Sequence, residues 1–458
     1  MDTLFSKSLF LGETYVVYGL GNSGTCAVKA LLEMGAIVFA WDDSPNFNSQ
    51  KWQENLSDKT DSNLTLSPII SLPENAKALI LSPGIPHTFP KPHPVALLAR
   101  KKQIPILSDV ELFYQAVRKS GSQARFIAIT GTNGKSTCTA LLEHILSQEN
   151  DEVIAGGNIG KSVFSLPRLG DHGIYILEMS SYMLERLKTF KADAAAWTTF
   201  SPDHLDRHQN IEGYRLAKRN VFNNMSSPSI AVFGEKANWS IEETEYLKTK
   251  NIRSMWAEDF PEKDLPTTPY LPGKHNRQNL ALCLFIAQYF GLSKESIEKG
   301  ARTFEGLPHR LKCIEKINDI LFVNDSKATN FEAALPALTA WENIYWILGG
   351  IAKANGIEGV EKVASHIKHA FVIGCDAEKL AMTLQKAGIA HTFSKTLEKA
   401  VEAAYIKAKE NGNGTVLLSP ACASQDQFRN FEERGNIFTK ICVKIKKSLE
   451  ITASQDNH

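Results

Sequence analysis

The chain reads as an α/β protein of about three domains, built on mostly parallel sheets. Three observations predict this. Short apolar, β-rich runs alternate with helical stretches along the whole length, the pattern of strands covered on both faces by helices. Two Gly-rich turns, Gly19–Gly24 and Gly131–Gly134, each stand between an apolar run and a helical stretch. The 458 residues, at roughly 150 per domain, suggest about three domains.

The elements follow in order. Tyr15–Tyr18 leads through Gly19 into a helix that runs to Leu31; Ile37–Trp41 and Ala78–Leu81 are further buried strands. Six prolines crowd Pro83 to Pro105, and Ser108 to Ser122 reads as a connecting helix and turn. A first boundary is expected there, giving domains of 1–108 and 109–307. Phe126–Ile129 enters the second Gly-rich turn, followed by a helix of about Ser136 to Leu146; Ile174–Leu177 and Ala194–Trp197 continue the series. A second seam is expected at Gly306-Leu307-Pro308, opening a domain of 308–458 with strands Leu321–Val323, Ile344–Leu348, Phe371–Ile373 and Val416–Leu418. Ala453 to His458 reads as a frayed polar tail.

Composition excludes several classes. Lys and Arg number 51 against 50 Asp and Glu, so nothing in the charge favours nucleic acid or a membrane surface. No apolar run nears the ~20 residues of a membrane span, and the apolar piece Leu9–Leu11 is too short for a secretory signal. The seven cysteines include no Cys-x-x-Cys pair, which fits reduced thiols in the cytoplasm.

The strongest chemical signal is Thr130-Gly131-Thr132-Asn133-Gly134-Lys135-Ser136-Thr137. A phosphate chain needs inward backbone N–H groups, a helix N-terminus and a cation. Lys135 supplies the cation, and Ser136 or Thr137 a hydroxyl for Mg²⁺. Ile129 stands where the general P-loop pattern has its first glycine. Gly19-Leu20-Gly21-Asn22-Ser23-Gly24, with Asp42 at the end of the next strand, is a dinucleotide fingerprint with its ribose-binding acid. It serves a dinucleotide or a sugar nucleotide such as a UDP conjugate equally well; alone, it would suggest an NAD enzyme. Glu178, directly after a strand, stands where a P-loop protein would hold Mg²⁺. His204 and His208 have the spacing of zinc ligands on a helix, but Leu205 replaces the glutamate of a zinc protease; a phosphate or Mg²⁺-water contact by one and a structural role for the other are expected. Asn324–Asn330 and Ser419–Ser424 are small, polar clusters at strand ends, as a ligand site needs. Cys422 has no activating partner nearby in sequence and reads as a packed small residue.

Taken together, these motifs resemble the Mur ligases of peptidoglycan synthesis, from Gly19 to about Phe438. The Gly131–Thr137 loop and His309-Arg310 are shared across that family and, more loosely, with folylpolyglutamate synthases. Asn324–Asn330, Leu418–Ser424, Asp426-Gln427-Phe428 and Phe431–Asn436 are similar to the branch that adds D-glutamate. The resemblance implies a Rossmann-like N-terminal domain for the UDP substrate, a central P-loop ATPase-type parallel sheet, and a Rossmann-like C-terminal domain closing over the site. It implies two Mg²⁺ ions, ATP, and the substrates UDP-N-acetylmuramoyl-L-alanine and D-glutamate, in a cytoplasmic monomer.

By matching positions, Asn22, Ser23, Asp42 and Gly84 would contact UDP, and Asn158 the muramoyl group. Gly131, Thr132, Asn133, Gly134, Lys135, Ser136 and Thr137 would bind ATP phosphate; Asn276 and Asn279 would meet adenine, and Arg310 and Asp325 would grip ATP. Glu178 and His204 would serve Mg²⁺ and the reacting groups, together with Ser136, Thr137 and Lys218, whose family counterpart becomes carbamylated. Lys327, Thr329, Lys353, Ser424 and Phe431 would shape the D-glutamate pocket, two cations facing a dicarboxylate. The departures are Ile351, where the family usually has an acid, Gln425, Ser44 and Met183. The implied reaction activates the substrate's carboxylate as an acyl phosphate, which the amine of D-glutamate then attacks; His204 is a candidate to help that amine lose its proton. The competing readings are a sister ligase for another amino acid or folate, an NAD-dependent oxidoreductase, and a P-loop binding protein without ligation chemistry.

Overall fold

The computed structural model describes residues 5–56, 62–268, 271, 273–353 and 355–455, the stretch 450–455 by its backbone alone. It carries three sheets in two compact units. One unit runs to Thr267 and includes His275–Thr303; the other comprises Thr268–Lys274 and the chain from Phe304.

The first unit holds two parallel sheets. One has the order Leu64–Leu66, Ile37–Trp41, Thr14–Tyr18, Ala76–Leu81, Ile106–Leu107. The chain crosses to opposite sides of Thr14–Tyr18, so a crevice opens beside that strand's C-terminal end, the usual ligand position in a doubly wound sheet. The other has the order Arg253–Trp256, Ile230–Phe233, Ala194–Trp197, Arg125–Thr130, Ile174–Glu178, Val153–Gly157. Its central strand, Arg125–Thr130, is buried almost throughout and delivers the second Gly-rich turn at its C-terminal end.

The helix Asp109–Lys119 joins the two sheets. Ser108 caps it, its Oγ accepting from Glu111 N at 3.3 Å. Phe113 packs edge-on against Phe126, Phe164 and Tyr175 of the second layer and against Phe5, inside one apolar core that spans both sheets. Glu111 is fully buried, and its carboxylate accepts from Lys188 N, Thr189 N, Thr189 Oγ1 and Phe190 N at 2.6–3.0 Å. Because these donors lose a charged acceptor together, Glu111→Ala is expected to cost about 3 kcal/mol, read as a lower midpoint in urea unfolding.

The second unit has one sheet in the order Lys312–Ile317, Ile320–Asn324, Gly414–Leu418, Ile344–Gly349, Ile367–Ile373, His391–Lys395. Its first strand is antiparallel and the rest are parallel. Separate apolar clusters cover its two faces. The apolar runs read from the sequence all lie in strands. Those it passed over are largely short or partly polar, such as Leu64–Leu66 and His391–Lys395. The expected frayed tail is different: the last helix, Phe431–Gln455, takes in Ala453–Gln455, and 456–458 lie outside the described residues. Among the described residues, no helix is long and apolar enough to cross a membrane.

Candidate active site

The second sheet's Gly-rich turn sits between Arg125–Thr130 and the helix Lys135–Leu146. Ile129, out of place in the general P-loop pattern, is a fully buried strand residue in register with Glu178. The strand therefore runs further and the turn starts at Gly131. Gly134 has φ +85°, and a Cβ there would stand 2.6 Å from Asn279 Oδ1, so this turn requires glycine. Lys135 Nζ donates to Gly131 O and Thr132 O, each at 2.9 Å. Asn133 N donates to Thr199 Oγ1 at 2.9 Å. Ser136 is buried and Thr137 half-buried at the helix start.

Two further predicted residues meet this turn. Lys218, on the helix Ile211–Arg219, is 1% exposed. Its Nζ lies 2.9 Å from Gly131 O, the carbonyl that Lys135 also contacts, and 4.6 Å from the centre of the Tyr214 ring. Burial first, and the charge of Lys135 second, push its amine well below the usual lysine range, against the opposing pull of Asp203 and Glu178. Asn279 sits against Gly134, and its Nδ2 is 3.3 Å from Asn276 Oδ1, one helical turn away.

Glu178 closes the neighbouring strand at 2% exposure. Its Oε1 accepts from Asn158 Nδ2 at 2.8 Å, while Oε2 is buried without a hydrogen-bond partner. Such an orphaned carboxylate oxygen is costly in a protein interior and suits a cation. Among the described residues, however, no group of three or more His, Cys, Asp or Glu is placed to hold a metal. Hydroxyls and a modified lysine would have to complete any such site.

The two histidines turn to separate partners. His204, in the left-handed region at φ +53°, has Nδ1 2.9 Å from Tyr182 OH and Nε2 3.4 Å from Asp203 Oδ2. Burial lowers its pKa, with Asp203 opposing. His208 is buried with Nε2 2.9 Å from Ser181 Oγ; burial pushes it down to about 4, so the ring is neutral.

In the first sheet, Asp42 turns its carboxylate onto the Gly-rich turn: Oδ2 accepts from Leu20 N at 2.6 Å and Oδ1 from Ser44 N at 2.8 Å. Asn22 opens the helix Asn22–Glu33, and Ser23 follows it in the first turn. Gly84 has open space where a side chain would project.

The second unit assembles its own set. Asp325 is buried, with Oδ2 accepting from Ser419 Oγ at 2.6 Å and Oδ1 from Leu311 N at 3.2 Å. Burial raises it to about 7, with those hydrogen bonds and the charge of Arg310 opposing. Lys327 Nζ lies 3.8 Å above the Phe431 ring, a cation–π contact. Ser424 is buried and its Oγ has no hydrogen-bond partner, as a ligand-facing hydroxyl would be. Thr329 is half-buried, while Lys353 and Gln425 are exposed. Ile351 is exposed too, its backbone paired with Ala423; Asp376, elsewhere in sequence, accepts from Ala352 N at 2.7 Å. Cys422 is buried and its thiol pushed up to about 12 by burial, in keeping with an inert packed residue.

Three residues given no role from sequence prove central. Arg434 is fully buried and donates to Ser326 Oγ, Ser326 O and Cys422 O at 2.8–3.1 Å, tying two predicted pocket loops together. Tyr182 orients His204. Arg186 holds the turn that carries Gly84. Arg434 stood within a quoted motif, but nothing local marks its partners or those of Arg186.

Residues 129–287 match the Mur ligase middle domain, and residues 309–422 the Mur ligase, glutamate ligase domain. UDP-N-acetylmuramoylalanine–D-glutamate ligase of Zymomonas mobilis is 39% identical over 444 residues, covering 96% of this chain and 99% of its own. Its counterpart from Paramagnetospirillum magneticum is 40% identical over 459 residues, covering 96% and 98%. In fold, the chain is similar to the MurF ligase of Thermotoga maritima, solved in complex with ADP, with a TM-score of 0.59 at 16% identity, covering 97% of this chain and 99% of that one. Relatives this similar along nearly the whole length establish that the chain belongs to the Mur ligase family and, within it, to the UDP-N-acetylmuramoylalanine–D-glutamate ligases.

Proposed function

We infer that this protein is an ATP-dependent ligase that adds D-glutamate to UDP-N-acetylmuramoyl-L-alanine in peptidoglycan precursor synthesis, releasing ADP and phosphate. Beyond family membership, one observation carries the chemical reading: Lys135 and Lys218 meet at the Gly131 carbonyl. A carboxylate does not form an amide in water without activation. In the proposed reaction the alanine carboxylate attacks the γ-phosphorus of ATP, ADP leaves, and an acyl phosphate results. The amine of D-glutamate attacks the acyl carbon, loses a proton, and phosphate departs.

The residues divide the work by domain. Asn22, Ser23, Asp42 and Gly84 of 1–108 would hold the UDP end. In 109–307, the amides of Gly131–Gly134 and the ammonium of Lys135 would bind ATP phosphate, Asn276 and Asn279 the adenine, and Asn158 the muramoyl group. In 308–458, Arg310 and Asp325 would bind ATP, and Lys327, Thr329, Lys353, Ser424 and Phe431 the D-glutamate. Fixed donors facing the transferred phosphoryl group are the main catalytic device for such chemistry. Tyr182 would orient His204 toward the departing amine proton.

The unpartnered Glu178 Oε2 and the hydroxyls of Ser136 and Thr137 fit Mg²⁺, and His204 would serve the same ion. A second ion would need a carbamylated Lys218. Its buried amine, held toward the neutral form, would add through nitrogen to the carbon of CO₂ and release one proton, turning a neutral amine into an anionic carbamate. When bound, Mg²⁺ supplies charge neutralisation of the phosphates.

The ATP and nucleotide-sugar substrates fit a cytoplasmic enzyme, proposed to act as a monomer; sedimentation at working concentration checks the latter. The decisive assay combines UDP-N-acetylmuramoyl-L-alanine, ATP, Mg²⁺ and either D- or L-glutamate. Phosphate release and a longer conjugate are expected with the D-isomer alone. No product, or a preference for another amino acid, overturns the reading.

A further inference from the structure

Arg186 is 1% exposed, yet its one ion pair among the described residues, with Glu185 Oε1, is 3.9 Å long, and the charge of Asp109 acts on it only from further away. The guanidinium is spent on backbone oxygens of the first sheet instead. Nη1 donates to Leu81 O at 2.6 Å and Ser82 O at 3.0 Å, and Nη2 donates to Ile85 O. Nε donates to His87 Nδ1 at 3.3 Å. These oxygens belong to the end of strand Ala76–Leu81 and the turn Ser82-Pro83-Gly84-Ile85.

That turn in turn shapes the Gly-rich one. Ser82 Oγ donates to Gly19 O at 2.7 Å, and a Cβ on Gly19 would stand 2.7 Å from Ser82 Cβ and from Ile85 Cδ1. The two turns flank the crevice where strand order reverses. A second arginine backs the arrangement: Arg207 donates to Phe89 O at 2.9 Å and pairs with Glu185. Arg186 also lies just past Glu178, through the short helix Ser181–Leu184. One short segment of the second sheet therefore ends in an acid at the P-loop side and an arginine at the nucleotide side.

Stability alone is a weak reason for this choice, because burying a charge is costly and whole buried ion networks are often replaced by packed apolar groups without loss. A rigid fork reaching several fixed carbonyls is instead a device for holding geometry. We propose that Arg186 is a positioning residue for the UDP end of the substrate, holding the 82–85 turn in the shape that binds it. This rests on the UDP-substrate reading of the first sheet.

Arg186→Lys and Arg186→Met test it, with Kd for UDP and for ADP by calorimetry, and KM and kcat for the ligation. With either variant, KM for the UDP substrate and Kd for UDP should rise together by about 10- to 100-fold. Meanwhile kcat should change by less than about threefold and Kd for ADP should stay fixed. Should Arg186→Met not fold, Arg186→Lys, which keeps the charge but not the fork, decides. UDP and ADP affinities falling in parallel would mean a merely structural role. Unchanged UDP affinity, or a fall in kcat alone, would equally overturn the proposal. Wild-type protein that binds UDP but makes no conjugate would sink the proposed function, and the UDP measurement would still judge Arg186.

Discussion

Lys135→Ala is expected to suppress phosphate release by at least about 10³-fold, the scale seen when one preorganised donor to a developing charge is removed. The side chain is half-buried and its ammonium is held in the mouth of the turn by two loop carbonyls at 2.9 Å. Truncation removes a charge that phosphoryl transfer needs while leaving the strand and helix that frame the turn in place. Coupled phosphate detection with both substrates present, alongside circular dichroism to confirm the fold, reads the effect. Turnover near the wild-type rate would refute the P-loop assignment.

Lys218→Ala is expected to cripple the enzyme to a similar degree, and short carboxylic acids such as acetate should restore part of the rate. An added carboxylate can occupy the space of a carbamate; it cannot replace an ammonium. Full activity of the variant would rule the carbamate out. The same site has a stability signature. The folded-state pKa of Lys218 is depressed below its ordinary value of 10.5, so over the window from that lowered value up to 10.5 the unfolded chain binds a proton that the folded chain lacks. Stability from this site must then rise with pH across that window. Urea unfolding of wild type and Lys218→Met at several alkaline pH values should show a more positive slope in the wild type than in the variant.

The sequence was most legible where function rests on local backbone. The Gly131–Thr137 turn could be read because its parts are contiguous: the strand, the glycines, the lysine and the hydroxyls all sit within a dozen residues. Ile129, which breaks the general P-loop pattern, was read as the end of the preceding strand, and its register with Glu178 keeps it there. Lys218 carried no local signal and came from resemblance; its meaning depends on Gly131, 87 positions away. His204 and His208 have the spacing of a ligand pair, but Leu205 already argued for separate roles, and their partners, Tyr182 and Ser181, are separate too. Arg186 was wholly illegible, since its partners are main-chain oxygens about a hundred residues upstream, and carbonyls have no residue identity to read.

The helix Asp109–Lys119 has a consequence for any attempt to recombine this enzyme with its relatives. Its Phe113 ring is wedged among Phe126, Phe164 and Tyr175, so it travels with the second sheet although it follows the first in the chain. A chimaera that borrows a foreign nucleotide-sugar module should be joined just ahead of Ser108. A joint after Lys119 would import an unmatched aromatic wedge and leave the 188–190 amides facing a stranger in place of Glu111.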